Sequence, residues 1–173
     1  GILKQLNLPF VGPDVVGSAV SMDKDISKRL LREADLKVAN ALVFHHFEKD
    51  AIDYHAVVNQ LGLPVFVKPA NMGSSVGVKK ADDVKELKEA IATAFKFDHK
   101  ILVEESIYGR ELECAVMGNG RVETTGVGEV IMTDGFYDYD AKYESEDAAQ
   151  VQIPAKDIDD QMLAKLMLVA KNA

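Results

Sequence analysis

Two short apolar runs, Val65-Phe66-Val67 and Val76-Gly77-Val78, enclose a loop containing Gly73, Ser74 and Ser75. The β-branched and aromatic character of the first run reads as a strand, and the second as the start of another. Small residues in the loop let backbone N–H groups turn toward a bound group, and a concavity of fixed N–H donors suits an anion. Lys68 leaves the end of the first strand and adds a full positive charge at the same place. Residue order excludes two familiar phosphate loops. A Walker A loop runs from Gly-Lys-Ser/Thr into a helix, whereas here the lysine precedes the glycines and the chain returns to a strand. A dinucleotide fingerprint needs three glycines opening a helix, which Gly73 and Gly77 do not supply. On spacing alone an ordinary β-hairpin with a Gly/Ser-rich tip accounts for the segment equally well, so the rest of the chain must decide.

A net charge of −8 argues against a nucleic-acid surface, because counterion release needs clustered Lys and Arg. An acidic protein can still bind a polyphosphate by gathering a few lysines locally. No apolar run approaches the roughly 20 residues of a membrane span. The single cysteine, Cys114, excludes an internal disulfide and fits a reducing cytoplasm. The four histidines have no zinc spacing.

Taken in order, residues 1–8 fit one or two helical turns ended by Pro9, followed by a connector. Ser21 is a candidate N-cap for a helix to about Ala34, with Ile26, Leu30 and Leu31 on one face. Lys24 falls in its first turn, where the helix dipole disfavours a cation. Residues 38–47 include a strand. Asp50 is the expected cap of a helix carrying Ile52, Ala56 and Leu61, ended by Gly62. Asp82 is the expected cap of another, with a stripe of Val84, Leu87, Ile91 and Phe95. Residues 101–103 form a strand leading into Glu104 and Glu105. Residues 111–117 alternate, putting Leu112, Cys114 and Val116 on the core face and Glu111 and Glu113 opposite. Cys114 is thereby expected to be a buried structural residue. Residues 122–132 continue the sheet, residues 150–153 form a short strand, and Asp157 or Asp159 opens a last helix striped by Ile158, Met162, Leu166 and Val169. Residues 136–143 hold three tyrosines and a phenylalanine without a clean period, a composition suited to covering a site.

Together these segments resemble the ATP-grasp superfamily, and closely the D-alanine–D-alanine ligases. The residues that carry the resemblance are Ser21-Met22-Asp23-Lys24, Val65-Phe66-Val67-Lys68-Pro69 with Gly73-Ser74-Ser75-Val76-Gly77, and Glu104-Glu105 leading to Glu111. The string Phe136-Tyr137-Asp138-Tyr139-Asp140-Ala141-Lys142-Tyr143 and Ile153-Pro154-Ala155 complete it. The resemblance implies an α+β ATP-grasp fold, two lobes with a nucleotide cleft between them and the second lobe incomplete. Residues 1–20 would be the tail of a preceding domain and a connector, 21–104 the first lobe, and 105–173 a truncated second lobe carrying an ω-loop.

The same resemblance implies roles. Lys24 and Lys68 would contact the α- and β-phosphates of ATP, and Gly73, Ser74 and Ser75 would close over them. Glu104, with the backbone of Glu105 and Ile107, would read the adenine edge, and Glu111 would hold the ribose. Phe136 and Lys142 would join the ATP site. Ser74, Lys142 and Tyr143 would form the catalytic network around the first D-alanine, with Tyr143 favouring a D-alanine over a D-lactate product. The activity implied is an ADP-forming ligation of two D-alanines through an acyl phosphate, for peptidoglycan precursor synthesis in the cytoplasm. No nucleic-acid or membrane partner is expected, and a homodimer of the full-length protein is allowed. The family's Mg2+ ligands would follow residue 173, so none is expected within this sequence, and the 173-residue chain is expected to be a fragment inactive alone. The alternatives are another ATP-grasp carboxylate–amine ligase and a non-catalytic nucleotide-binding module.

Overall fold

The computed structural model describes residues 1–132 and 149–173, and divides the chain into two compact units. Residues 1–30 and 38–106 form the first, and residues 31–37 and 107–173 the second.

The first unit begins with the single turn α1 (Ile2–Gln5), then α2 (Val15–Met22) and α3 (Lys24–Glu33). Next come β1 (Ala41–His45), a 3-10 segment (His46–Ala51) and α4 (Tyr54–Leu61). The unit is completed by β2 (Val65–Pro69), β3 (Lys79–Ala81), α5 (Val84–Ala94) and β4 (Lys100–Glu105). Its four strands lie in the order β1-β4-β2-β3, with antiparallel neighbours throughout. Period-two alternation divides the sheet into two chemically different faces. Val65 and Val67 of β2 and Ile101 and Val103 of β4 are fully buried and pack with Val57 of α4 and with Leu87, Ala90, Ile91 and Ala94 of α5. Phe66, Lys68, Leu102 and Glu104 belong to the other face, because Phe66 pairs with Glu104 and Lys68 with Leu102. Helices α4 and α5 therefore consolidate one side of the sheet and leave the other to carry polar groups.

Several expected boundaries move, each for a local reason. Ser21 is not a cap: it lies in the last turn of α2, and Asp23 starts α3 by accepting from the backbone N–H groups of Asp25 (3.1 Å) and Ile26 (3.2 Å). Asp53, rather than Asp50, caps α4 by accepting from His55 and Ala56, because residues 46–51 are taken up by the 3-10 segment. Asp83, rather than Asp82, caps α5 through the N–H of Glu86 at 2.8 Å. The strand expected from Val76 starts at Lys79, since residues 73–78 are spent on two successive turns.

The second unit holds β5 (Glu111–Asn119), β6 (Arg121–Met132), β7 (Ala149–Gln152) and α6 (Asp160–Asn172). The strands form an antiparallel sheet in the order β5-β6-β7, and α6 packs on β5 and β6. Asp159, one of the two expected caps, accepts from Met162 N–H at 2.7 Å. Met162 and Val169 are exposed, and the half-buried positions of α6 are Leu163, Leu166, Met167 and Ala170. That i, i+3, i+4, i+7 set shares only Leu166 with the expected stripe. Val116 is exposed too, contrary to the alternation, and Cys114 is half-buried. The ladder breaks between them: the register shifts by one residue, and the Ala115 N–H donates to Thr125 Oγ1 instead of a strand carbonyl.

Candidate functional site

The polar face of the first sheet takes its chemistry from three elements. Glu104 sits opposite Phe66 on the neighbouring strand, and Lys68, two residues beyond Phe66 on the same face, reaches it diagonally. Lys68 donates to Glu104 Oε2 and lies 5.7 Å from the centre of the Phe66 ring. Lys28 of α3 donates to Glu104 Oε1 at 2.5 Å and to the Ala39 carbonyl at 3.1 Å. Glu104 is only 5% exposed. Burial pushes its carboxyl up, but the charge of Lys68 and the hydrogen bonds from Lys28 and Lys68 outweigh that and hold it below the usual carboxylate range.

Lys24, one helical turn before Lys28, is the third cation. Its ammonium donates to the carbonyls of Pro69 (3.2 Å), Ala70 (3.3 Å) and Met72 (2.5 Å), where β2 gives way to the loop. Its backbone N–H donates to the Ala70 carbonyl at 3.0 Å, so the start of α3 is fastened to the end of β2 twice. Burial, and then repulsion from Lys68, lower its pKa against the attraction of Glu104, Asp98 and Asp23. A cation at the start of a helix, disfavoured there by the dipole, is accounted for by these carbonyls and by the site it helps to form.

The loop following β2 makes two tight turns, Val76 N–H to Gly73 C=O and Val78 N–H to Ser75 C=O, both at 3.0 Å. Ser74 and Ser75 adopt φ of 51° and 58°, and Gly77 has φ of 71°. A Cβ on Gly77 would lie 2.6 Å from Phe97 and 2.9 Å from Pro69, so only glycine fits there. Asp98 fixes the base of the loop by accepting from Asn71 N–H (2.8 Å) and Asn71 Nδ2 (3.0 Å). Lys100 bonds Asp23 at 2.5 Å and Asp25 at 3.4 Å, tying β4 to the beginning of α3.

The remaining expected site residues divide between the units. Glu105 accepts from the Asn40 N–H (2.7 Å) and Asn40 Nδ2 (3.1 Å), which lowers its pKa. Ile107 and Glu111 are exposed in the second unit. Phe136, Lys142 and Tyr143 lie outside the described residues. Sequence reading gave no role to Lys28, Asp98 or Lys100, and none to Asp23 beyond its place in the Ser21–Lys24 motif. Lys28 had a legible signal, since it stands four residues after Lys24 on the same helix face; the other three depend on partners distant in sequence.

Among the described residues, no group of three or more His, Cys, Asp or Glu side chains could hold a metal ion. The acidic groups nearest the lysines are engaged, Glu104 by Lys28 and Lys68, and Asp23 and Asp25 by Lys100. Engaged in this way, these residues do not fit magnesium.

Residues 30–173 match the family model described as D-ala D-ala ligase C-terminus. The chain belongs to this D-alanine–D-alanine ligase family. The family's D-alanine–D-alanine ligase A from Chromobacterium violaceum is 51% identical over 173 residues, which is 100% of this chain and 47% of that protein. A D-alanine–D-alanine ligase from Shouchella clausii is 56% identical over 155 residues, 90% of this chain and 42% of that one. The chain thus spans a little under half the length of these ligases. Among solved structures, the VanG D-Ala:D-Ser ligase from Enterococcus faecalis superimposes with a TM-score of 0.87 at 34% identity, over 99% of this chain and 49% of that one. D-alanyl-alanine synthetase A from Vibrio cholerae gives 0.81 at 28% identity, over 99% of this chain and 52% of that one. The fold is accordingly the α+β ATP-grasp fold of the D-alanine–D-alanine ligases.

Proposed function

We propose that the protein carrying this chain is an ATP-dependent, ADP-forming ligase that joins two D-alanines for peptidoglycan precursor synthesis in the cytoplasm. The observation that carries the nucleotide part is the gathering of Lys24, Lys28 and Lys68 around a single buried carboxylate, Glu104, beside a Gly/Ser loop with left-handed residues. Lys28 and Lys68 share that one carboxylate, and Lys24, which Asp98 and Asp23 also attract, donates to backbone carbonyls, so the bridge itself carries surplus positive charge in a protein whose net charge is −8. A polyphosphate complements that surplus. Lys24 and Lys68 would take the α- and β-phosphates, and the loop at Gly73, Ser74 and Ser75 would close over them. Glu104 and the backbone at Glu105 and Ile107 would receive the adenine, Glu111 the ribose, and Phe136 and Lys142 would join the ATP site. Ser74, Lys142 and Tyr143 would orient the first D-alanine.

In the reaction, a carboxylate oxygen of one D-alanine attacks the γ-phosphorus, the bond to the β-phosphate oxygen breaks, and ADP leaves. The amine of the second D-alanine attacks the acyl carbon, and inorganic phosphate departs as the amide forms and the amine loses its protons. The chain's part is to position reactants and stabilise charge, with loop closure keeping water from the acyl phosphate.

Among the described residues, no helix is long and apolar enough to cross a membrane. The D-Ala:D-Ser ligase among the structural relatives makes the second substrate the point to test. Assayed in the complete protein, ADP release is expected to require D-alanine and to yield the D-alanine dipeptide in preference to products from D-serine or D-lactate. Lys24→Met and Lys68→Met should each raise the KM for ATP by about ten-fold or more. ADP release with D-serine but not D-alanine as acceptor would favour another carboxylate–amine ligase. Saturable ATP binding without turnover on any of these substrates would favour a nucleotide-binding module. Light scattering on the same protein tests for the homodimer.

A further inference from the structure

The Lys28–Glu104–Lys68 bridge has a feature that phosphate binding by Lys24 and Lys68 does not explain. Lys28 is the less exposed of the two bridging lysines, with its side chain 15% exposed against 27% for Lys68. It is also held at a second point, the Ala39 carbonyl at 3.1 Å, on the segment between α3 and β1. The carboxylate between them is nearly sealed from water at 7% side-chain exposure. A buried carboxylate that loses its only cation is strongly destabilised, because neither water nor another charge replaces the lost partner. If Lys68 were the sole partner of Glu104, moving its ammonium to a phosphate would strand that carboxylate. A second, fixed lysine removes the obstacle.

We propose that Lys28 is a positioning residue of the nucleotide site: it holds and neutralises Glu104 so that Lys68 can transfer its ammonium from Glu104 to a phosphate oxygen. The inference rests on the ATP reading above and extends it to a residue that would touch no part of the nucleotide. Lys28 acts through Glu104. Its loss should therefore matter only while Glu104 is charged, which separates it from a lysine that merely stabilises the fold.

The test is a double-mutant cycle in the complete protein, with ATP as the probe. ATP dissociation constants, KM and kcat are measured for native protein, Lys28→Met, Lys28→Arg, Glu104→Gln and the double variant Lys28→Met/Glu104→Gln. Lys28→Met is expected to weaken ATP binding about ten-fold and to raise KM more than it lowers kcat, with Lys28→Arg recovering most of the loss. On the Glu104→Gln background, the same substitution should change ATP affinity by less than about two-fold, the scatter expected of uncoupled sites. Equal losses on both backgrounds overturn the inference, as does native ATP affinity in Lys28→Met with only a lowered melting temperature. If Lys28→Met alone does not fold, the double variant, in which no charge is stranded, is compared with Glu104→Gln. Equal affinities then support the inference and a further loss overturns it. Absence of ATP binding by the native protein overturns the ATP reading and this inference together, whereas native binding with an additive cycle overturns this one alone.

Discussion

Glu104 is the residue where opposing effects can be weighed. Burial favours its neutral form, the two lysines favour the charged form, and the lysines prevail. Its carboxyl in the folded protein therefore ionises below its ordinary value of 4.5. Near that pH the unfolded chain binds more protons at this group than the native one, so stability rises with pH. The contribution is complete above about pH 4.5 and is lost as pH falls through the lower native value. Urea midpoints measured from neutral pH down to about pH 3 should fall less steeply in Glu104→Gln than in the native protein. Identical acid limbs would show that ionisation of Glu104 adds no pH-dependent stability. Part of the limb will persist in the variant, because Asp23 and Asp98 are also held below the carboxylate range. Burial opposes this in both; hydrogen bonding chiefly from Lys100 at Asp23, and from Asn71 and the Lys100 N–H at Asp98, overrides it.

Among the elements, α5 and α6 show what an amphipathic pattern can and cannot tell. In α5, Leu87 and Ile91 were legible from their spacing and are buried, together with Ala90 and Ala94. Alanine is too small to mark a face on its own, so those two positions were silent. In α6, apolar residues occupy more than one face, and Met162 and Val169 belong to a stripe that the sheet does not cover. Leu87→Ala should cost about 2–5 kcal/mol in urea unfolding, as for other fully buried leucines. Met162→Ala, at a site 47% exposed, should cost less than about 1 kcal/mol. Comparable losses at both positions would contradict the packing described for α6.

For the whole molecule, the distribution of apolar burial sets the order of opening. Among the described residues, Val127 and Val130 are the buried apolar side chains of the second unit, whereas both central strands of the first are lined with them. Regions with little buried apolar surface open locally at low cost. Native-state hydrogen exchange should therefore find the amides of β2 and β4 protected longest and those of β5 and β7 exchanging earlier. Equal protection in both sheets would require packing in the second unit beyond that described.

Local order was open to reading from the chain alone: the Lys68–Gly/Ser loop order, the short apolar strand runs at residues 65–67 and 101–103, the apolar spacing of α5, and the motif set that marks the family. Those signals are local because backbone preference and side-chain alternation act over a few residues. What only tertiary structure decided was pairing. Antiparallel register brings Glu104 diagonally across from Lys68, and the docking of α3 brings Lys28 to the same carboxylate and Lys24 to the carbonyls closing β2. Electrostatic contacts depend on distance in space, and residues 28, 68 and 104 become neighbours only when the sheet and helix have assembled.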